Sequence, residues 1–280
     1  MGVAMPGCAP TKERKRKYMT NDNALTYLAR LQQIIDEAPD GVDVSAIAAA
    51  VEAIANPGDR RTKIWFLLDR SGSMQSLAGD VIGGFNRFVA EQASQHGKAR
   101  MTAVLFDGQN PFEVITDAQR IGDISELTQD TYWARGVTPL YDAVGDLIER
   151  ADGRIADRAQ AGKPVEDQVV LIFTDGHENA SSRYDRAQIF DLVKRRQDDD
   201  WTFVFMGSNQ DSYGEGSKVG FVPGNVQNYA ATAQGTGDAF AEFSRGTSSF
   251  RNKSLAMRIA HKERFFEDTK AAEEAMDDDS

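Results

Sequence analysis

The segment Asp69–Ser73, with the sequence DRSGS, presents three oxygen-bearing side chains at alternate positions: Asp69, Ser71 and Ser73. It follows an apolar run, Ile64–Leu68, whose length and composition are typical of a buried strand. Hard cations such as Mg²⁺ bind oxygen ligands in proteins. A turn that leaves a strand with these three side chains therefore suits a small divalent cation.

Two later segments could complete such a site. Thr138 lies in the loop Gly136–Leu140, and Asp175 lies in a Thr-Asp-Gly turn after a second apolar run, Val169–Phe173. Only two of the five side chains in this set are carboxylates, whereas the other three are neutral hydroxyls. Mg²⁺ takes near-octahedral oxygen ligation and usually keeps water or an exogenous ligand. We therefore expect the cation to take one further anionic oxygen from outside the chain.

The order of these motifs, DxSxS, then a loop threonine, then TDG, resembles the von Willebrand factor type A (vWA) domain in its stand-alone prokaryotic form, bacterial or phage. The resemblance covers residues 60–250. It implies that a metal-ion-dependent adhesion site binds an acidic side chain of a partner protein, with Mg²⁺ as the cation and Mn²⁺ or Ca²⁺ as alternatives. The implied ligands are Asp69, Ser71, Ser73, Thr138 and Asp175. For bacterial members the resemblance also implies assembly or stress-response complexes with an AAA+ ATPase.

Residues next to these motifs are candidates for a partner-binding rim around the metal. His177, Glu178 and Asn179 directly follow the TDG turn, and Trp133 and Arg135 precede the threonine loop. Aromatic and arginine side chains are favoured anchors of protein interfaces. An equally acceptable interpretation is that Trp133 and its neighbour Tyr132 fill the core under the loop. His177 is predicted to lie in the rim rather than to bind a transition metal, because no His/Cys ligand spacing accompanies it.

Composition indicates a globular protein with an acidic surface. The chain has 280 residues and a net charge of −11, which argues against binding nucleic acid or anionic membranes with the whole surface. Cys8 is the single cysteine, so no disulfide within the chain is possible, and a reducing compartment is favoured. No signal-peptide core and no run of membrane-spanning length is found. These features predict a cytoplasmic protein without a membrane span.

The chain is predicted to divide into four segments: a disordered basic tail (1–19), an N-terminal helical extension (20–59), a vWA domain (60–250), and a C-terminal helix with an acidic tail (251–280). Amphipathic spacing supports two helices in the extension. The last helix is predicted over Leu255–Met276. Asp142 and Asp146, one turn apart on the helix after Thr138, are expected to face solvent.

From residue 62 the pattern alternates strand and helix, which predicts an α/β fold: a doubly wound, mostly parallel sheet with one antiparallel edge strand. The short turn Asp107–Asn110 forces the antiparallel pair. The predicted strands are 63–69, 100–106, 111–116, 168–174 and 201–207. Ligand sites in such sheets form at the carboxyl ends of strands, where Asp69 and Asp175 fall.

Three classes of function remain open. The first is a protein-binding module without enzymatic activity. The second is a Mg²⁺-dependent, phosphatase-like hydrolase with Asp69 as nucleophile, although such enzymes carry an acid two residues later, where this chain has Ser71. The third is a nucleic-acid-associated protein that uses the basic N-terminal tail. The chain has no P-loop, so any ATP use would come from a partner.

Overall fold

The computed structural model describes residues 61–208, 212–253 and 255–266, together with 30–31, 33–39, 42, 44, 47 and 51. Chain contacts divide the protein into two units, residues 1–55 and 56–280. In the first unit, residues 30–31 and 33–36 are helical. The predicted basic tail and acidic tail lie outside the described residues, as does most of the predicted N-terminal extension.

The second unit is built on a six-stranded sheet with the strand order β3-β2-β1-β4-β5-β6. The strands are β1 Arg61–Asp69, β2 Lys98–Phe106, β3 Glu113–Arg120, β4 Glu166–Thr174, β5 Thr202–Gly207 and β6 Val226–Asn228. All neighbouring pairs are parallel except β2 and β3, which form an antiparallel pair at one edge. The predicted α/β fold with one antiparallel edge strand is therefore confirmed.

Helices connect and cover the strands. They are α1 Ala78–Ser94, α2 Leu140–Gln160, α3 Arg186–Asp198, α4 Ser212–Lys218, α5 Ala233–Asn252 and α6 Leu255–Ala260. A short 3₁₀ helix, Gly72–Leu77, leads from β1 into α1. None of the helices in the described part of the chain is both long and apolar enough to cross a bilayer.

Two apolar layers form because alternate side chains of a strand point to opposite faces of the sheet. Phe66 of β1 packs in one layer with rings from α1 and α5, including Phe85 and Phe240. Trp65 lies in the other layer, which contains apolar side chains of α2 and α3. Both faces of β1 and β4 are thus buried, which explains the uninterrupted apolar runs Ile64–Leu68 and Val169–Phe173 within these strands.

Two parts of the C-terminal region differ from the prediction. Strand β6 was not expected, and it is only three residues long. The predicted helix Leu255–Met276 is wrong in its length, because helix α6 ends at Ala260 and a turn follows. The amides of Phe265 and Phe266 donate to Asn225 and Gly224, and Phe266 is buried in the same layer as Phe66. Burial of this ring requires the chain to leave the helix.

Candidate metal centre

The candidate site lies at the carboxyl ends of the two central strands. Asp69 is the last residue of β1, and β4 ends at Thr174, so Asp175 directly follows it. The two strands are parallel neighbours, with Leu68 opposite Phe173. As a result the Thr174 hydroxyl donates to Asp69 Oδ2 at 2.5 Å. The sheet itself therefore brings the first and last predicted ligand segments together.

The DxSxS turn curls so that its oxygens face the TDG turn. Asp69 Oδ1 accepts a hydrogen bond from the Ser71 amide at 2.6 Å, which closes the turn. Ser71 Oγ lies 3.1 Å from Ser73 Oγ, and Ser73 Oγ donates to Asp175 Oδ1 at 2.6 Å. A series of hydrogen-bond contacts through Ser71 and Ser73 thus links Asp69 at the end of β1 to Asp175 at the end of β4.

Thr138 reaches the same place from the loop before helix α2, and its side chain is buried. A Cβ atom placed on Gly176 would lie 3.0 Å from Thr138 Oγ1 and 3.5 Å from Ser73 Oγ. Both hydroxyls therefore approach the TDG turn closely, and glycine leaves the room for them. The structure brings all five predicted side chains to one spot.

Burial sets the electrostatics of this spot. The side chain of Asp69 is completely buried, and loss of solvation raises its pKa to about 7, against hydrogen bonds from Thr174 and Ser71 that lower it. The nearby charge of Asp175 raises it further. Burial also raises the pKa of Asp175. Two desolvated carboxylates side by side favour a positive charge between them.

The donor set fits a small hard cation. It consists of two carboxylates and three hydroxyls, all oxygen donors, which is the chemistry that Mg²⁺ and related ions prefer. Within the described residues, no three His, Cys, Asp or Glu side chains group in a way that could hold a metal. A zinc-type site of nitrogen and sulfur ligands is thus not found there, and the oxygen cluster at the ends of β1 and β4 is the metal candidate.

Tyr132 holds the backbone of Asp69 in place, a role that the sequence did not indicate. Its hydroxyl donates to the carbonyl of Asp69 at 2.7 Å, and its ring is buried. Trp133, in contrast, is 43% exposed. Tyr132 therefore fills the core under the loop, whereas Trp133 lies at the surface, where a partner could contact it. No local pattern indicates that a buried phenol would reach the backbone of β1, because the contact joins residues 63 positions apart.

The loop after the TDG turn divides its predicted rim residues between two roles. His177 is exposed, and its Nδ1 lies 3.6 Å from Glu215. Glu178 faces the protein, since its carboxylate accepts from the amides of Tyr141, Ala180 and Ser181. Asn179 is exposed but is hydrogen-bonded to the backbone of Thr138. Of these three side chains, His177 is therefore the best placed to meet a partner.

Asp142 does not face solvent, so this prediction is wrong. It is buried, and its carboxylate accepts from the amides of Ser182, Arg183 and Tyr184. Burial alone would raise its pKa, but these amide hydrogen bonds outweigh burial and lower it. Asp146 is half-buried and forms an ion pair with Arg183. The first turns of α2 therefore anchor the 178–184 loop instead of facing solvent.

A buried ion cluster holds the other side of the threonine loop. Arg70 is completely buried, and its guanidinium donates to Asp107 Oδ2 at 2.8 Å and to Glu113 Oε2 at 2.5 Å. Arg135 Nε donates to the same oxygen of Asp107 at 3.0 Å. Burial raises the pKa of Asp107, yet hydrogen bonds from the amides of Asn110 and Gln109 and from the two arginines lower it overall. The predicted rim residue Arg135 is therefore tied to the DxSxS turn.

Comparisons with known proteins find similarity of this chain to solved structures only. No protein-family model and no curated protein matches the chain. Solved structures similar to it include a von Willebrand factor type A protein from Catenulispora acidiphila, at 15% identity and a TM-score of 0.42 over 68% of this chain and 43% of that one. Another is proximal thread matrix protein 1 from the mussel byssus with a zinc-occupied MIDAS motif. It is 16% identical, with a TM-score of 0.44 over 72% of this chain and 48% of that one.

A third is the manganese-loaded TRAP protein of Plasmodium vivax, at 13% identity and a TM-score of 0.44 over 66% of this chain and 73% of that one. The chain spans only about half the length of the first two of these three proteins. At such identities the likeness concerns the fold alone. The site described above therefore stands on the geometry of this chain.

Proposed function

We propose that this chain is a metal-dependent protein-binding module. In this proposal a divalent cation, Mg²⁺ in the cell, is held by Asp69, Ser71, Ser73, Thr138 and Asp175. The observation that carries it is the convergence of these five oxygen-bearing side chains from three separate loops at the ends of β1 and β4. When bound, the cation supplies a positive centre that takes an additional carboxylate from a partner protein.

The residues have different parts in this role. Asp69 is positioned by the Ser71 amide and the Thr174 hydroxyl, so its orientation is set before any ligand arrives. Ser73 is exposed, and it is the hydroxyl of the set through which a partner could approach most easily. Three of the five donors are neutral, so the protein contributes little negative charge. An incoming carboxylate would be attracted by the charge that remains.

The same geometry supports binding rather than catalysis. Each carboxylate oxygen of Asp69 accepts a hydrogen bond from this chain, and the side chain has no exposed surface. An attacking nucleophile needs access to its substrate. Ser71 stands where a phosphatase of this type would need a second acid, and its side chain is also buried. We therefore infer that Asp69 is not the nucleophile of a phosphatase, and we propose that the chain binds a partner without enzymatic activity.

The wider setting of the protein follows from the sequence resemblance. We propose a cytoplasmic protein whose partner supplies the carboxylate, with an AAA+ ATPase as the partner class that the resemblance implies. The absence of a P-loop from the sequence means that the partner would bring the ATP chemistry.

Metal titration tests the proposal most directly. We expect the full-length protein to bind Mn²⁺ by calorimetry and by electron paramagnetic resonance, and Mg²⁺ to compete for the same site. Asp69→Asn and Asp175→Asn should each lower Mn²⁺ affinity by about 100-fold or more, beyond the range of about 10–100-fold that supporting groups contribute. Asp130→Asn, at an exposed position in the loop that leads to Thr138, is the matched control.

Circular dichroism of each variant checks that the fold is kept. Metal should also raise the melting temperature of the wild-type protein, because a ligand that binds only the folded state stabilises it. Full Mn²⁺ affinity in both site variants would remove the metal centre from this position.

A further inference from the structure

Two large apolar side chains are exposed on the loop that carries Thr138. Val137, directly before this candidate ligand, is 47% exposed, and Trp133 is 43% exposed. Large apolar side chains that remain accessible beside a binding site are frequent anchors of protein interfaces. Their position next to the candidate metal centre suggests a surface that a partner would touch together with the metal.

The loop is held firmly, so these side chains are presented at a defined place. The Arg135 amide donates to the Arg70 carbonyl at 2.8 Å, and the Gly72 amide donates to the Gly136 carbonyl at 3.1 Å. Both bonds join the threonine loop to the DxSxS turn. A surface that is ordered before binding loses less conformational entropy when a partner arrives.

Val137 contacts the turn Asp107–Asn110 directly, and Trp133 is linked to it through Arg70. Val137 packs over Gly108, where an added Cβ atom would lie 2.3 Å from Val137 Cγ2. The guanidinium carbon of Arg70 lies 5.1 Å from the centre of the Trp133 ring, and Arg70 is itself bonded to Asp107. We call Trp133 and Val137 the apolar shelf.

The loop after the TDG turn has a different character. There His177 lies beside Glu215, and Glu215 is also paired with Lys218 at 2.6 Å. Exposed apolar side chains are thus found on the threonine loop, beside the guanidinium of Arg135, whereas the loop after the TDG turn presents His177 next to the Glu215–Lys218 pair. A partner that inserts a carboxylate at the centre meets two unlike surfaces, and only the apolar shelf gains from burying an aliphatic or aromatic side chain.

We propose that the apolar shelf selects the partner: the module binds a peptide segment in which an acidic residue is flanked by a large apolar residue. This inference rests on the proposed metal-dependent capture of a carboxylate. It adds a preference for the residue that stands next to the acid in the partner. The acid provides charge complementarity to the cation, and the apolar neighbour packs on Val137 and Trp133. The two contacts together distinguish such a segment from acidic surfaces in general.

Three fluorescein-labelled peptides of equal length test the proposal with the full-length protein in Mg²⁺ by fluorescence anisotropy. Their central triplets are Leu-Asp-Leu, Ser-Asp-Ser and Leu-Asn-Leu, in otherwise identical Gly/Ser sequences. The first has leucine on both sides of the acid, so it can place a leucine on the apolar shelf whichever way the peptide runs. We expect Leu-Asp-Leu to bind about tenfold more tightly than Ser-Asp-Ser, equivalent to about 1.4 kcal/mol. Leu-Asn-Leu should not bind, and EDTA should abolish binding of the other two.

The outcomes separate the two proposals. Equal, EDTA-sensitive binding of Leu-Asp-Leu and Ser-Asp-Ser would overturn the role of the shelf and leave metal-dependent capture standing. Binding that resists EDTA, or that is as tight for Leu-Asn-Leu, would overturn capture and the shelf together, as would a lack of binding by all three peptides.

Variants locate the preference on the protein. Val137→Ser and Trp133→Ser should each reduce the ratio between the Leu-Asp-Leu and Ser-Asp-Ser affinities. Val165→Ser, a control at an apolar side chain that is 78% exposed on a different loop, should keep the ratio. The Mn²⁺ affinity of each variant is measured alongside. A Val137→Ser protein that keeps the full ratio, or that loses peptide affinity only in proportion to metal affinity, would contradict a direct contact with the partner.

Discussion

Asn179 holds both backbone polar groups of Thr138. Its Oδ1 accepts a hydrogen bond from the Thr138 backbone amide at 2.9 Å, and the Asn179 backbone amide donates to the Thr138 carbonyl at 3.1 Å. The TDG turn and the threonine loop are therefore joined by a reciprocal pair of bonds directly beside the candidate metal centre. Asn179 was predicted to be a rim residue, and the structure gives it a positioning contact with a proposed ligand instead.

Asn179→Ala should lower Mn²⁺ affinity by about tenfold, within the range of roughly 10–100-fold for groups that orient metal ligands. Asn179→Asp keeps an acceptor oxygen for the Thr138 amide and should restore the affinity. Calorimetric titration of each variant measures the effect. A double-mutant cycle with Thr138→Ala then tests whether Asn179 acts through Thr138. In that case Asn179→Ala should have little further effect on Mn²⁺ affinity once the Thr138 hydroxyl is absent. Fully additive losses would mean that Asn179 does not act through Thr138.

Asp142 should be important for stability because it accepts three backbone amides of the loop 182–184. We expect Asp142→Ala to lower the free energy of unfolding by about 3 kcal/mol, since buried donors are left without a charged acceptor. Asp142→Asn, which keeps one acceptor oxygen, should cost less. Urea denaturation at pH 7 measures both values.

The contribution of Asp142 should also depend on pH. Its folded pKa is lowered, so the unfolded state binds more protons in acid, and the stabilisation is present above the unfolded pKa of about 3.9 and is lost as pH falls through the folded pKa. The difference between wild type and Asp142→Asn should accordingly shrink in acid. A difference that stays constant down to the lowest pH at which the protein folds would contradict this role.

Lys63 is a buried amine whose charged form should reduce stability. Its side chain is completely buried on β1, donates to Thr102 Oγ1, and lies 4.0 Å from the centre of the Trp65 ring. Loss of solvation and the charge of Arg154 lower its pKa, whereas Glu166 and Asp117 raise it. Lys63→Met should increase the free energy of unfolding by about 1 kcal/mol or more, because an apolar side chain of similar volume carries no desolvation penalty.

The pH dependence of this gain has a definite sign. Between the lowered folded pKa and the unfolded pKa of about 10.4, the unfolded chain binds more protons at Lys63, so wild-type stability rises with pH. The advantage of Lys63→Met should therefore be largest below the folded pKa and disappear as pH approaches 10. Chemical denaturation across this range, with the exposed Lys163→Met as control, checks it. A Lys63→Met protein that is less stable than wild type would contradict the prediction.

Two adjacent glycines of helix α1 should respond in opposite directions to alanine. A Cβ atom on Gly84 would lie 2.3 Å from the Phe240 ring, whereas one on Gly83 would meet no atom within 4 Å. Gly84→Ala should therefore destabilise the protein by about 1–3 kcal/mol through overpacking. Gly83→Ala should stabilise it by up to about 1 kcal/mol through helix propensity. Thermal unfolding of the pair measures the packing of α1 on α5, and equal shifts would show that this contact is absent.

The position of the candidate site could be predicted, because short-range patterns determine the two strands that carry it. The apolar runs before Asp69 and Asp175 indicated two buried strands, and parallel strands place their carboxyl ends at one edge. The roles of Glu178, Asn179 and Asp142 could not be predicted in this way. Each depends on which backbone amides a distant segment leaves nearby, and those amides belong to residues up to about 40 positions away.

The sequence by itself determined the α/β alternation and the antiparallel edge pair, because periodicity and turn chemistry are local properties. Its motifs and their resemblance to the vWA domain pointed to the five side chains of the candidate metal centre. Only the tertiary structure decided that Tyr132 supports Asp69 from below while Trp133 is exposed, and that the chain turns after Ala260 to bury Phe266. The reason is that burial of a side chain depends on what the rest of the chain places against it. No local pattern carries that information.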